Sequence, residues 1–280
     1  MSSLKLREQD LVGKVAVITG ASREIGQAIT MNLASRGCSI LGTCSSPKST
    51  GLLDSINQEI DNMYKIANQT RSSRMVGISA NILSPTCAET IAEALVQNFS
   101  SRVDIFVNNA ADSRTGTLGE LTVQEIQESL ISNVQTPVLI VDELVKRKMF
   151  LPESRIIYIS SVRSRQPWSL QLMYAAGKSA GESLCRTWSQ AFGGREEKFA
   201  FMAGTTANAV TVGLTQTESV MMCPPDVLET FKQEFITLQS IPKFGQPEDV
   251  ADVVGLLCSH DARWITGSVI SASGGGIKIG

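Results

Sequence analysis

Short apolar runs alternate with longer helical stretches along this chain, and that alternation constrains the possible folds more than any other feature. The first helical stretch places Ile25, Ala28, Ile29 and Leu33 on one face. Apolar strands separated by helices predict an α/β fold, a doubly wound sheet of about seven parallel strands with helices on both faces. The predicted strands are residues 15–18, 39–43, 75–79, 104–107, 155–159, 207–212 and 269–271.

The alternation continues along the whole chain, and we interpret residues 1–280 as a single domain with an N-terminal extension over residues 1–11. No linker rich in Pro, Gly or Ser and no internal repeat divides the sequence. Residues 54–74 and 193–206 are long for connections, and we interpret both as surface elaborations.

Composition argues against several classes of function. The 280 residues include 25 Lys and Arg and 27 Asp and Glu, and the net charge of -2 argues against nucleic-acid binding. Six dispersed cysteines and the lone His260 offer neither a metal site nor a hydrolase triad. The sequence shows no apolar signal segment and no run near the ~18 apolar residues of a membrane span. We predict a cytoplasmic protein with no metal, nucleic-acid or membrane partner.

A glycine-containing turn follows the first predicted strand and opens the first predicted helix. Gly20 permits a tight turn, and Gly26 allows the helix to pack close to the strand. The free N–H groups at the helix start suit a pyrophosphate. The arrangement predicts a dinucleotide site on a Rossmann-type sheet.

The residues at the end of the second predicted strand indicate whether NAD or NADP(H) binds. NAD binding usually requires an acid at its end, but this strand runs into Cys44, Ser45 and Ser46, with no acid before Asp54. Arg23 in the glycine turn can pair with a 2′-phosphate, which favours NADP(H). The alternative, in which Arg23 and Lys48 are solvated surface charges, stays open.

Tyr174 and Lys178 form a YxxxK motif, whose four-residue spacing puts both side chains on one helical face. A nearby ammonium group lowers the high pKa of a tyrosine hydroxyl. Ser161 lies 13 residues upstream of Tyr174, and Asn133 lies 24 residues after Asn109.

Together these motifs resemble the short-chain dehydrogenase/reductase family over about residues 12–277, in particular its single-domain, NADP(H)-preferring branch. That branch is similar to 3-oxoacyl-carrier-protein reductases and polyketide ketoreductases, which implies secondary metabolism. Glu24, Ala111 and Val212 depart from the family's pattern of Gly, Gly and Pro. The matching segments are residues 19–26, 108–111, 212–217, 264–267 and 274–275.

The resemblance implies four catalytic residues. Ser161 polarises the substrate carbonyl, and Tyr174 exchanges a proton with its oxygen. Lys178 tunes Tyr174 and holds the nicotinamide ribose, and Asn133 organises a water relay to Lys178. The implied cofactor contacts are Gly20, Ser22, Arg23, Ile25, Gly26, Ser45, Ser46, Asn81, Ile82, Asn109, Tyr174, Lys178, Thr215 and Thr217.

Two segments are expected to line the substrate pocket: residues 162–170, and a lid over about residues 214–242. Met221, Met222, Cys223 and Trp168 suit a bulky apolar substrate. Arg163 and Arg165 in the first segment either meet an anionic group or face water.

Glu24 also has two interpretations, since an acid suits the first turn of a helix but repels a pyrophosphate. We predict an NADPH-dependent, reversible reductase of a small-molecule carbonyl to an alcohol. A non-redox isomerase, cyclase or dehydratase and a non-catalytic family member are the alternatives. The resemblance implies a homodimer or homotetramer. An apolar stripe fits that interface or the monomer core equally well: Ile126, Leu130, Val134, Val138 and Val141.

Overall fold

The computed structural model describes residues 5–279, and its centre is one sheet of seven parallel strands. The strands are β1 (Val15–Ile18), β2 (Ser39–Cys44), β3 (Met75–Ser79), β4 (Val103–Asn108), β5 (Phe150–Ser161), β6 (Thr206–Val212) and β7 (Val269–Ala272). They are ordered β3-β2-β1-β4-β5-β6-β7, which confirms the predicted doubly wound α/β fold. β5 begins five residues earlier than predicted, at Phe150.

Helices cover both faces of this sheet. They are α1 (Glu24–Ser35), α2 (Thr50–Ile66), α3 (Cys87–Phe99), α4 (Val123–Leu130), α5 (Thr136–Lys146), α6 (Leu172–Phe192), α7 (Glu218–Met221), α8 (Pro225–Phe235) and α9 (Pro247–Cys258). α1, α2 and α9 contribute to one hydrophobic core, and α3, α5 and α6 to the other. Successive strand residues alternate between these cores, as Ile18 and Val17 do, because a strand's side chains point alternately to opposite faces.

The prediction of a surface elaboration over residues 54–74 is wrong. Most of that stretch belongs to α2, the crossover helix between β2 and β3. Leu53, Ile56, Ile60 and Met63 are buried, and their spacing is that of one helical face. The second stretch, residues 193–206, contains a short 3₁₀ helix whose Met202 is fully buried.

Part of the N-terminal extension packs against α1. Leu11 is buried, its backbone N–H donates to the Arg36 carbonyl, and Asp10 forms an ion pair with the Arg36 guanidinium. The predicted interface stripe divides, because Val141 lies in the core whereas Leu130 on α4 is exposed.

The sheet changes its winding direction between β1 and β4, which are hydrogen-bonded neighbours. In doubly wound sheets a crevice opens at this point, beyond the carboxyl ends of the strands. The turn after β1 and the segment after β4 both reach it, so the fold brings Gly20 and Asn109 together.

Candidate active site

Backbone crowding at the turn after β1 explains its glycines. Gly20 has a φ of 65°, in the left-handed region that favours glycine. A Cβ on Gly26 would lie 2.0 Å from the Gly20 carbonyl oxygen and 2.7 Å from Asn109 Nδ2. Asn109 Nδ2 in turn donates to the Thr19 and Gly20 carbonyls, at 3.0 and 3.2 Å. Gly26 is therefore required by packing, and Asn109 fixes the turn from the neighbouring strand.

Glu24 departs from the family's glycine at a position with a backbone requirement. Its φ is 52°, a left-handed conformation that costs a residue with a Cβ roughly 1–2 kcal/mol. Helix α1 begins at Glu24, where the helix dipole favours an acid. Glu24 combines a favourable charge position with an unfavourable backbone conformation.

One cavity of about 900 Å³ extends from this turn to the predicted lid. Most of the predicted cofactor residues lie in its wall: Gly20, Ser22, Arg23, Ile25, Gly26, Ser45, Ile82, Asn109, Tyr174, Lys178, Thr215 and Thr217. Ser46 and Asn81 are not part of this wall. The Asn81 side chain accepts a hydrogen bond from the Leu83 backbone at 3.0 Å and is exposed.

Ser161, Tyr174 and Lys178 meet in the middle of the cavity wall. Ser161 ends β5, whereas Tyr174 and Lys178 project from α6, which packs against β5. Lys178 is buried, its Nζ donates to the Ile159 carbonyl at 2.6 Å, and it lies 5.4 Å from the centroid of the Tyr174 ring. The fold thus brings together three of the four predicted catalytic residues.

Burial shifts the pKa values of Tyr174 and Lys178 so that the neutral form of each side chain is favoured. It raises the pKa of Tyr174, while the Ser161 hydroxyl and the Arg163 charge lower it. Burial also lowers the pKa of Lys178 to about 7, because a charged amine is poorly solvated inside the protein. Tyr174 therefore keeps its proton at neutral pH, as a general acid must.

Asn133, the fourth predicted catalytic residue, lies behind the cavity wall rather than in it. It belongs to a π-helical turn, Ile131–Gln135, between α4 and α5. Its side chain exchanges two hydrogen bonds with the Asp112 backbone, at 2.9 and 3.1 Å. Its carbonyl accepts from the Tyr158 hydroxyl at 2.8 Å. Asn133 thus anchors the segment after β4.

Tyr158 is a residue that the sequence analysis missed. It is fully buried between Asn133 and Lys178, and its ring centroid lies 5.1 Å from Lys178 Nζ. A Cβ on Gly181 would come within 2.1 Å of the Tyr158 ring, and one on Gly177 within 2.7 Å of Asn133 Cβ. Gly177 and Gly181, on either side of Lys178 in the sequence, were the sequence feature that could have indicated a bulky side chain packed against α6.

Glu182 is a second missed residue, one helical turn beyond Lys178. Its buried carboxylate accepts from Ser160 Oγ and Ser164 Oγ, both at 2.7 Å, and forms an ion pair with Arg165 at 2.5 Å. These residues flank Ser161, so Glu182 holds the loop that carries it. Arg165 is therefore an exposed residue that is ion-paired with Glu182, and it is not part of the cavity wall.

The predicted lid segment folds as α7 and α8 against the far end of the cavity. Met221 and Met222, expected to face an apolar substrate, are exposed instead. The apolar wall is formed by Trp168 with Phe231 and Phe235, whose four-residue spacing puts them on one face of α8. That spacing was readable in the sequence.

Comparison with known proteins adds to this geometry. The chain matches the family model described as enoyl-(acyl carrier protein) reductase over residues 20–276. It is 34% identical to the short chain dehydrogenase penD of Penicillium thymicola, over 95% of this chain and 92% of penD. Identity to the 3-oxoacyl-[acyl-carrier-protein] reductase FabG of Vibrio cholerae is 28%, over 95% of this chain and 98% of FabG.

A solved structure is similar over the same span. The angucycline C-6 ketoreductase LanV with bound NADP gives a TM-score of 0.83 at 28% identity, covering 97% of this chain and 98% of LanV. Within residues 5–279, no helix is both long and apolar enough to cross a membrane.

Proposed function

Because this chain belongs to the short-chain dehydrogenase/reductase family, whose members are NAD(P)-dependent oxidoreductases, we propose that it reduces a ketone to an alcohol with NADPH. The observation that carries this proposal is the position of Ser161, Tyr174 and Lys178, midway along a cavity that joins the glycine turn to an aromatic pocket. A cofactor at one end and a ketone at the other would meet at these three side chains.

The residues at the turn fit a dinucleotide. Gly20 and Gly26 line this end of the cavity without side chains, and the start of α1 faces the same space. Such a surface admits a pyrophosphate without steric conflict. Arg23 and Ser45 also line this end, and β2 ends without an acid, so the chemistry of the wall favours a 2′-phosphate.

The chain's own residues supply the proton chemistry. When bound, the nicotinamide supplies a hydride to the carbonyl carbon. As negative charge develops on the carbonyl oxygen, Ser161 donates a hydrogen bond and Tyr174 donates its proton. The buried Lys178 ammonium stabilises the phenolate that remains until Tyr174 is reprotonated. In the oxidative direction the same tyrosine removes the proton from the alcohol.

The test is NADPH oxidation at 340 nm with a panel of bulky aryl ketones and cyclic diketones, repeated with NADH. We expect consumption of NADPH, with kcat/KM at least about tenfold higher than with NADH. A preference for NADH would overturn the cofactor assignment. Tight NADPH binding with no consumption across the panel would overturn the reductase and favour a non-redox step on the same fold.

We also propose a homodimer or homotetramer. Apolar side chains exposed on α4 and at the start of α6 support an interface there: Val123, Leu130 and Leu172. Sedimentation velocity should therefore detect an oligomer at micromolar concentration, and a monomer would contradict it.

A further inference from the structure

Arg163 is a buried cation in the substrate end of the cavity. The residue is 8% exposed and follows Ser161 by two positions, so the loop that positions the catalytic serine also fixes Arg163. Its guanidinium carbon lies 4.8 Å from the centroid of the Trp168 ring and 4.3 Å from that of Phe235. Aromatic rings stabilise the charge from these two sides, but they accept none of its five N–H groups in the plane.

The guanidinium also lacks a counter-charge. Among the residues whose side chains the structure describes (5–218 and 220–279), none accepts a hydrogen bond from it through a side chain or carbonyl, and no carboxylate lies within ion-pair distance. The charge of Glu234 raises the pKa of Arg163, but Glu234 is exposed and forms no ion pair with it. By contrast, Arg165 is paired with Glu182 and Arg114 with Asp112 and Glu128. Among the described residues, Arg23 and Arg163 are the arginines of the cavity wall that form no ion pair, and of these two only Arg163 is buried.

Apolar side chains form much of the wall around Arg163. Phe231 contacts both Trp168 and Phe235 edge to face, and Leu214, Val220 and Val227 also line the wall. Of the described residues in the wall of the whole cavity, the sole acid is Glu24, at the opposite end. The guanidinium lines the cavity, so a ligand that fills this end displaces water from it, and the charge is then costly unless the ligand brings an anion.

We propose that Arg163 is a specificity-determining residue that binds a carboxylate on the substrate, and that the substrate is a free keto acid with a bulky apolar body. The planar fork of a guanidinium matches a carboxylate with two parallel hydrogen bonds, and burial strengthens them. An amide, ester or thioester at this position would leave the cation without a counter-charge. This assignment deepens the proposed function and rests on it for the identity of the reacting carbonyl.

The experiment is a calorimetric titration with 2-naphthoate and with its neutral counterpart 2-naphthamide, in the presence and absence of NADP⁺. The wild-type protein should bind 2-naphthoate at least about tenfold more tightly than the amide. Arg163→Met should reduce that preference below about twofold, while the affinity for 2-naphthamide is retained, because methionine fills the space between the rings. Arg163→Lys should keep only part of the preference, since a point charge replaces the fork.

The matched control is Lys232→Gln, which removes an exposed positive charge from α8 and should leave the preference unchanged. Absence of a preference in the wild-type protein, failure to bind 2-naphthoate, or a preference that survives in Arg163→Met would each overturn the proposal. The titration needs no turnover. Selection of naphthoate without reduction of any ketone would contradict the proposed function and leave the carboxylate site standing. Reduction of ketones without selection of naphthoate would contradict the carboxylate site and leave the proposed function standing.

Discussion

The glycine turn and the region around β5 and α6 keep their charged residues in different surroundings. At the glycine turn Arg23 is exposed and Glu24 is half-buried. On α6 and in the turn after β5, which we call the β5–α6 wall, Lys178, Glu182 and Arg163 are 2%, 3% and 8% exposed. Charges in water act through a field that salt screens, whereas buried charges act through fixed geometry and cannot be left unpaired cheaply. We therefore expect large effects from substitutions in the β5–α6 wall and small ones at the turn.

The largest effect is expected for Tyr174→Phe. The substitution removes the proton donor but retains the ring, so kcat should fall about 10²–10⁴-fold while the Kd for NADPH changes less than about twofold. Single-turnover NADPH oxidation and a fluorescence titration measure the two quantities. Retained turnover would show that the wall is not the site of chemistry.

Lys178→Met tests the burial of the lysine through pH. The folded-state pKa is about 7, below the usual 10.5, so the unfolded chain binds more protons than the folded chain between these values. Stability of the wild-type protein should therefore rise with pH through that window, a gain that the methionine variant lacks. Near pH 6.5 the variant should be more stable by on the order of 2 kcal/mol in urea unfolding without cofactor, and this advantage should shrink by about pH 10. A pH-independent difference would contradict the assigned burial.

Glu182→Gln should destabilise the loop that carries Ser161. Loss of the carboxylate breaks the ion pair with Arg165 and weakens the hydrogen bonds from Ser160 and Ser164, at a cost of about 1–3 kcal/mol in the free energy of unfolding. Glu229→Gln is the control, because its ion pair with Lys232 is exposed and worth little. If both variants lowered the free energy of unfolding equally, the buried carboxylate would contribute no more to stability than the exposed one, and the prediction would be wrong.

Arg23→Gln addresses the exposed end. We expect the Kd for NADPH to rise about fivefold and that for NADH to change less than about twofold, because only the 2′-phosphate is lost as a partner. The NADPH effect should diminish at high salt. Calorimetric titration with NADPH and NADH at two ionic strengths measures these changes in Kd. An equal loss of affinity for both cofactors would show that Arg23 does not select between them.

The smallest effects are expected at Glu24. Glu24→Gln removes the charge but retains the left-handed backbone, whereas Glu24→Gly removes both the charge and the strain. NADPH should bind about two- to threefold more tightly to the Gln variant, because a like charge near the pyrophosphate is lost. A gain that appears only in the Gly variant would assign the effect to the backbone rather than to the charge.

The sequence predicted features that depend on residues close together in the chain better than features that depend on contacts between distant segments. The strands, the glycine turn and the spacing of Ser161, Tyr174 and Lys178 were all readable, since each is a pattern over a few residues or a fixed separation. The helix α2 was missed although Leu53, Ile56 and Ile60 carry its periodicity, because connection length was given more weight than pattern.

Other features required packing between distant segments. The hydroxyl of Tyr158 on β5 reaches Asn133, whose turn lies 25 positions earlier in the chain. The environment of Arg163 depends on Phe235, which lies more than 70 positions further on. No short pattern in the sequence encodes these contacts, so the burial of Arg163 between two rings could be seen only in three dimensions.

The contact between Tyr158 and Gly181 has a consequence for recombination between relatives. Because any side chain at position 181 would overlap the Tyr158 ring, the two positions form one unit although a long stretch of chain separates them. A chimera whose junction falls between β5 and the second half of α6 can inherit the tyrosine from one parent and a larger residue from the other. Crossovers placed before residue 158 or after residue 181 keep the pair intact and are the ones expected to give folded progeny.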